Sequence, residues 1–197
     1  QAEIRSIAAE IAELTHASLS PSDFYEGFLP RLCVAMGASA AAVWGSPSQG
    51  QPQLVANHNL PNALLSENSP SEAHSRVLAC VVAEGQPILV PPCTVKVDAD
   101  RPRNPLEDAL IIVPVRVEDD VDYVVEVVHR PSGGPAAQRG YLRFVAQMAD
   151  LMADYLRRQA LRELSDLRAH VQCTEQWFMR LAQRPSFNAR ATVTAEA

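Results

Sequence analysis

Residues 108–131 read DALIIVPVRVEDDVDYVVEVVHRP. Two valine-rich runs flank the acidic stretch Glu118–Asp120, the pattern of a β-hairpin whose β-branched side chains suit a pleated surface. The runs do not alternate apolar with polar residues, as a half-solvated strand does. Near-continuous apolar strands belong to a sheet covered on both faces, so this hairpin is expected at the centre of a layered domain. One residue breaks the second run. Glu126 interrupts YVVEVV, and by parity it lies on the opposite face of its strand from Tyr123. An unpaired carboxylate in an apolar layer is costly, so Glu126 needs either a partner or water, and of the two an exposed sheet edge is expected.

Outward from the hairpin, helices and further strands alternate. Ile4, Ile7, Ile11 and Leu14 recur at steps of three and four, a heptad seam on an opening helix. A second helix is expected over Phe24–Met36, with Ser20 as N-cap, Pro21 at its first position, Asp23 complementing its dipole and Gly37 ending it. ASAAAVWGSPSQGQPQLVANHNLP supplies two short strands around a Ser-Pro-Gly turn. Ser69 and Glu72 have capping-box spacing for a third helix that stops at Gly85. The strand PILV leads into PPCTVKVDADRPRNPLED, a proline-rich charged loop of the kind that covers sites. After the hairpin a single helix is expected from about Ala136 to Arg184. Beyond Tyr155 its apolar positions step by four and three through Ala160, Leu164, Leu167, Val171, Thr174, Phe178 and Leu181.

A lone helix cannot hide such a stripe. The economical arrangement is a homodimer in which Ile4, Ile7, Ile11 and Leu14 of the first helix and Leu164, Leu167, Val171, Phe178 and Leu181 of the last form one bundle. The expected fold is α+β: a central antiparallel sheet of about five to six strands with helices on both faces, plus long end helices in a dimeric bundle. The divisions are an N-terminal dimerisation helix over 1–18, the sheet domain over 19–157, a coiled-coil helix over 158–184 and a tail or linker over 185–197.

Composition excludes several roles. The 197 residues carry a net charge of −6 with 47% hydrophobic content, and no basic stripe is present to neutralise phosphates, so no nucleic-acid partner is expected. No run approaches a membrane span and the N-terminus has no signal-peptide grammar, so no membrane contact by this fragment is expected and the location is taken as cytoplasmic. The chain opens on Gln rather than Met and is expected to be an excerpt of a longer protein. Cys33, Cys80, Cys93 and Cys173 are scattered, with no Cys-x-x-Cys pair or His at ligand spacing. They are read as small fillers in a reducing compartment, with no metal site.

Taken in order, these segments resemble the GAF domains, small-molecule-sensing relatives of the PAS fold, over roughly residues 14–157. LVANHNLP is similar to the family's second strand and turn, RVLACVVAEGQPILV to its helix ending at Gly before a short strand, LIIVPVRVEDDVDYVVEVVHRP to its central hairpin, and QRGYLRFVAQMADLMADYLRR to its exit helix. Where the family has Gly after the hairpin turn this chain has Asp122-Tyr123, which implies a looser turn. The resemblance implies a pocket between sheet and loop. Trp44, His58, His74, Val77, Ile111, Val113, Tyr123 and Val125 are its candidates. Read from the residues alone, Trp44 is core or a ligand platform, His58 a surface turn residue and His74 a solvent-facing residue of the first helical turn.

Sharper chemistries fail on residues. The family's cyclic-nucleotide signature of Asn-Lys, Phe and Asp-Glu has no counterpart, and no Cys-His dipeptide offers a bilin attachment point. In the resemblance to free methionine sulfoxide reductase, Leu78 takes the first cysteine's position and Cys80 falls two residues late. Arg101 and Arg103 in the loop read as solvated charges with the option of clamping an anion. No Ser-His-Asp set, phosphate loop or carboxylate pair emerges. The expectation is a non-catalytic sensory or regulatory module without a cofactor, binding an unidentified small molecule or partner and relaying its state through a homodimeric bundle to a neighbouring domain. A ligand-free dimeric scaffold is the alternative, and a cysteine redox enzyme on this fold the minor one.

Overall fold

Ser20 begins the first well-capped helix as expected. Its hydroxyl accepts from the Asp23 N–H, Pro21 occupies the first turn, and Gly37 closes the helix in the left-handed region at φ 61°. In this computed structural model, which describes residues 2–46, 51–66, 69–92, 104–130 and 133–182, the elements are α1 (Ala2–His16), α2 (Pro21–Met36), β1 (Ala40–Gly45), β2 (Gln53–His58), a 3-10 turn (Asn62–Leu64), β3 (Leu65–Ser66), β4 (Ser69–Pro70), α3 (Glu72–Glu84), β5 (Ile88–Val90), β6 (Ala109–Arg116), β7 (Val121–His129) and α4 (Pro135–Ala182).

The main sheet has five antiparallel strands in the order β2-β1-β7-β6-β5. β6 and β7 are the quoted hairpin, and β7 is the middle strand of the sheet. The hairpin turn carries a register shift between Val115 and Arg116, and the Asp122 carboxylate accepts from the Val117 N–H at 3.1 Å. That bond lies at the turn where Asp122-Tyr123 stands in place of the family's glycine and where the resemblance implied a looser turn.

Strand parity sorts the sheet into two faces. Ala41, Val43, Ile111, Val113, Val125 and Val127 pack beneath α1, α2 and the first part of α4. Ala42, Trp44, Leu110, Ile112, Val124 and Val128 pack beneath α3. With both sides covered, continuous apolar strands are what burial selects. On the first face Phe24 lies flat against Tyr155, ring centroids 3.8 Å apart and planes within 1°, and the Tyr155 hydroxyl donates to the Leu19 carbonyl at 3.1 Å.

Three expectations are corrected here. The capping box of Ser69 and Glu72 does not form. Ser69–Pro70 instead pairs with Leu65–Ser66, because a residue before proline is held extended, and Ser71 becomes the N-cap without a side-chain bond. Next, the α1 seam needs no second copy to hide it at Ile11, which is 0% exposed within its own chain because α1 folds back on α2. Ile7 and Leu14 are half-buried against the same core. Finally, Glu126 is not at a sheet edge, for β7 is central and the residue is fully buried.

The chain divides into two compact units, residues 1–156 and 157–197. The helical part of the second unit leaves Leu161, Leu164, Leu167, Val171 and Phe178 each about half to two-thirds exposed. The side chains of Ile4 and Leu181 lie outside the described residues.

Candidate functional site

β7 threads Glu126 between two apolar neighbours, in register with Ala42 of β1 on one side and Ile112 of β6 on the other. Parity turns its side chain to the α3 face together with Val124 and Val128. Two elements then bring it partners. Trp44, diagonal to it on β1, donates its indole Nε1–H to Glu126 Oε2 at 2.8 Å. α3 lays His74, Val77, Leu78 and Val81 on the sheet at helical spacing, and His74 Nε2 stands 3.1 Å from the same Oε2. The Trp44 and His74 rings meet edge to face at 5.5 Å and 62°.

The hydrogen positions follow from the inventory of donors. An indole N–H only donates, so Oε2 accepts there, and a second bond to that oxygen requires the His74 proton to sit on Nε2. Both Glu126 and His74 are at most 1% exposed. Two polar atoms of the trio are left over: Glu126 Oε1 and His74 Nδ1 are buried without a hydrogen-bond partner among the described residues. Each such atom costs about 1–3 kcal/mol. Native interiors rarely carry them without a functional reason.

Asn104 sets the contrast. It is equally buried, yet its amide donates to the carbonyls of Pro91 and Asp108 at 3.1 and 2.8 Å and its oxygen accepts from the Leu106 N–H. That side chain staples the segment before β6 to the end of β5. Its bonds are spent on architecture, whereas those of Glu126 and His74 are incomplete.

Of the residues singled out in the sequence, Trp44, His74 and Val77 come together on the α3 face. Ile111, Val113 and Val125 lie on the opposite face, and Tyr123, half-buried, packs there too. His74 is not solvent-facing as expected; the helix starts two residues later than the capping box implied, which turns it inward. His58 ends β2 and lines a cleft of about 480 Å³ between α2 and β2, with Tyr25, Glu26 and Asn57. Burial, with Tyr123 and Tyr155 nearby, pushes the Tyr25 hydroxyl far above its ordinary range. Glu126 and Ile112, which sequence reasoning left out of the pocket, belong with Trp44. Parity carried that signal, since positions 124, 126 and 128 share a face.

The cysteines do not converge. Cys33 is buried in the α2 core and burial pushes its thiol up to about 11. Cys80 is half-exposed, donates to Glu84 Oε1 at 3.3 Å, and has its thiol raised by burial and by that carboxylate. Neither setting favours a thiolate nucleophile. Cys173 is exposed, while Cys93, Arg101 and Arg103 fall outside the described residues. Among the described residues no group of three His, Cys, Asp or Glu is placed to hold a metal ion, and no helix is long and apolar enough to cross a membrane.

The five-stranded antiparallel sheet with its helices matches solved domains closely enough to name the fold. The fold is that of a GAF domain. The GAF domain of A. Aeolicus nlh2 in an inactive state superposes with a TM-score of 0.61 at 12% identity, covering 80% of this chain and 97% of that one. The GAF domain of a phosphoenolpyruvate-protein phosphotransferase from Coxiella burnetii gives 0.62 at 14%, covering 82% and 97%. The GAF domain of a putative sensor histidine kinase from Pseudomonas syringae pv. tomato gives 0.57 at 14%, covering 85% and 94%. No family model matches the sequence and no curated protein matches it. At these identities the likeness concerns the GAF fold, and the chemistry of the site rests on this chain's own residues.

Proposed function

We propose that this chain is a sensory or regulatory module of GAF type, in which the α3 face of the sheet takes up a small molecule and helix α4 relays the occupied state to a neighbouring domain. The observation that carries the reading is the Trp44–Glu126–His74 trio, an incompletely bonded polar cluster inside an otherwise apolar layer. Polar groups converging in an apolar setting are how ligand sites fix orientation. The similar solved domains, from a phosphotransferase and a sensor histidine kinase, are consistent with it.

The relay acts as a homodimer of the α4 stripe. Leu164, Leu167, Val171 and Phe178 follow heptad steps and are exposed, so a second copy that covers them removes apolar area from water. Ligand and bundle are coupled only if the ligand binds one bundle arrangement better than the other. The test is isothermal titration of the chain against a metabolite library, with disulfide crosslinking between cysteines introduced along residues 160–178. Binding accompanied by altered crosslinking supports the module; binding with unchanged crosslinking removes the relay.

A ligand-free dimeric scaffold is the second reading. The observation in its favour is that Trp44 is fully buried and itself fills the α3 face. That reading predicts silence in the titration and an unchanged dimer.

A further inference from the structure

The two leftover atoms of the trio restrict what the α3 face can accept. Glu126 is acceptor-only as a carboxylate, and its Oε1 has no donor. With its proton committed to Nε2 by the bond to Oε2, a neutral His74 presents a lone pair at Nδ1, which is also unpartnered. Both vacancies are therefore for donors. Charge points the same way. Glu126 puts a carboxylate in the central strand of the sheet, and among the described residues His74 is the only titratable group that reaches it, with no lysine or arginine doing so. Ala42, Ile112 and Val124, its neighbours in the sheet, offer nothing that screens it. In such a layer an N–H bond to an ionised acceptor is about twice as strong as a neutral one.

We propose that the ligand of this site is a compact organic cation with N–H donors, an ammonium, amidinium or guanidinium head, which donates to Glu126 Oε1 beside the Trp44 indole. This deepens the sensory reading and rests on it. Anions are excluded by the same carboxylate, and a purely apolar ligand leaves both orphan atoms unsatisfied. Because Glu126 and His74 are at most 1% exposed, the head reaches Oε1 only when α3 shifts from the sheet. Occupancy thus favours a displaced α3, which gives the ligand the difference in affinity between two states that a sensor requires.

The chain has two tryptophans, so Trp177→Phe, in the exposed part of α4, leaves Trp44 as the sole tryptophan, excited selectively over the tyrosines and hydrogen-bonded to the residue under test. This variant is titrated with methylguanidinium, acetamidinium and propylammonium chlorides in the low-millimolar range, and with acetamide and sodium acetate as neutral and anionic controls at matched ionic strength. The expected result is a saturable change in Trp44 emission and a raised Tm with at least one cation and with neither control. Glu126→Gln keeps the shape and removes the charge; it weakens the cation's binding at least tenfold. A flat response to all three cations, or equal binding in Glu126→Gln, overturns the proposal. If Glu126→Gln does not fold, the comparison of cation, neutral and anionic probes in the unsubstituted site decides by itself. A saturable response to acetamide without one to the cations sinks the cation class while the sensory module survives. Silence towards these probes and the metabolite library together removes the module as well.

Discussion

The two faces of one sheet are built by different rules. Under α1, α2 and α4 the layer is mainly apolar and aromatic, with Phe24, Phe28 and Tyr155 filling it and His129 at its margin against Tyr141. Under α3 the same strands hold a layer of similar apolar character into which Trp44, Glu126 and His74 are set. Adjacent residues of β7 thus serve opposite ends: Val125 and Val127 make the core under α1, α2 and α4, while Glu126 between them turns to α3 and interrupts the other layer. The difference teaches that the first face carries stability and the second carries an unsatisfied polar site, which natural folds tolerate where function needs it.

The contrast is most readily broken on the apolar face. Phe24→Ala removes a fully buried ring stacked on Tyr155 and is expected to lower stability by about 3–5 kcal/mol, read from the urea midpoint at unchanged m-value. A loss below about 1 kcal/mol at that position would mean that the two faces do not differ as described.

On the polar face a cycle of leucine substitutions sharpens it. Glu126→Leu leaves the Trp44 and His74 donors without their acceptor and is expected to cost about 1–3 kcal/mol. Glu126→Leu with His74→Leu removes both hydrogen-bonded partners together. The pair is expected to recover the part of that loss that belongs to His74, since replacing both partners of a buried hydrogen bond by apolar groups is nearly neutral or stabilising, while the Trp44 N–H stays unpaired. Additive losses in the cycle would show that the trio is structural support and not a site held at the expense of stability.

The smallest effect is a pH dependence confined to the apolar face. Burial raises the Cys33 thiol from 9.0 to about 11, so its contribution is fully present below pH 9 and is lost as pH rises from 9 through 11, where the unfolded chain ionises first. Denaturation midpoints of the native chain and of Cys33→Ala, followed across that window, are expected to converge as pH rises. Parallel curves would place Cys33 in contact with solvent.

Several features were readable before any fold was known. Ser20, Pro21 and Gly37 bounded α2 through local hydrogen-bonding and φ preferences, and those depend on few neighbours. The apolar runs of residues 109–115 and 124–128, broken only by Glu126, announced a sheet covered on both sides. The polar site was less readable. His74 was placed outward because Ser69 and Glu72 imitate a capping box, although Pro70 holds Ser69 in a short strand and the helix begins later. Glu126 was placed at an edge because burial of an unpaired carboxylate is costly, and nothing local shows that Trp44, 82 positions away, supplies a donor.

What the residues alone determined was the order of the main helices and of the five strands of the large sheet, because caps, turns and a period of two are set by sterics within a few positions. What only the tertiary structure decided was that β7 lies in the middle, that α1 closes its own seam at Ile11, and that Glu126 meets Trp44 and His74. These outcomes depend on strand order and helix placement, which minimise the free energy of the whole chain, so no short stretch of sequence carries them.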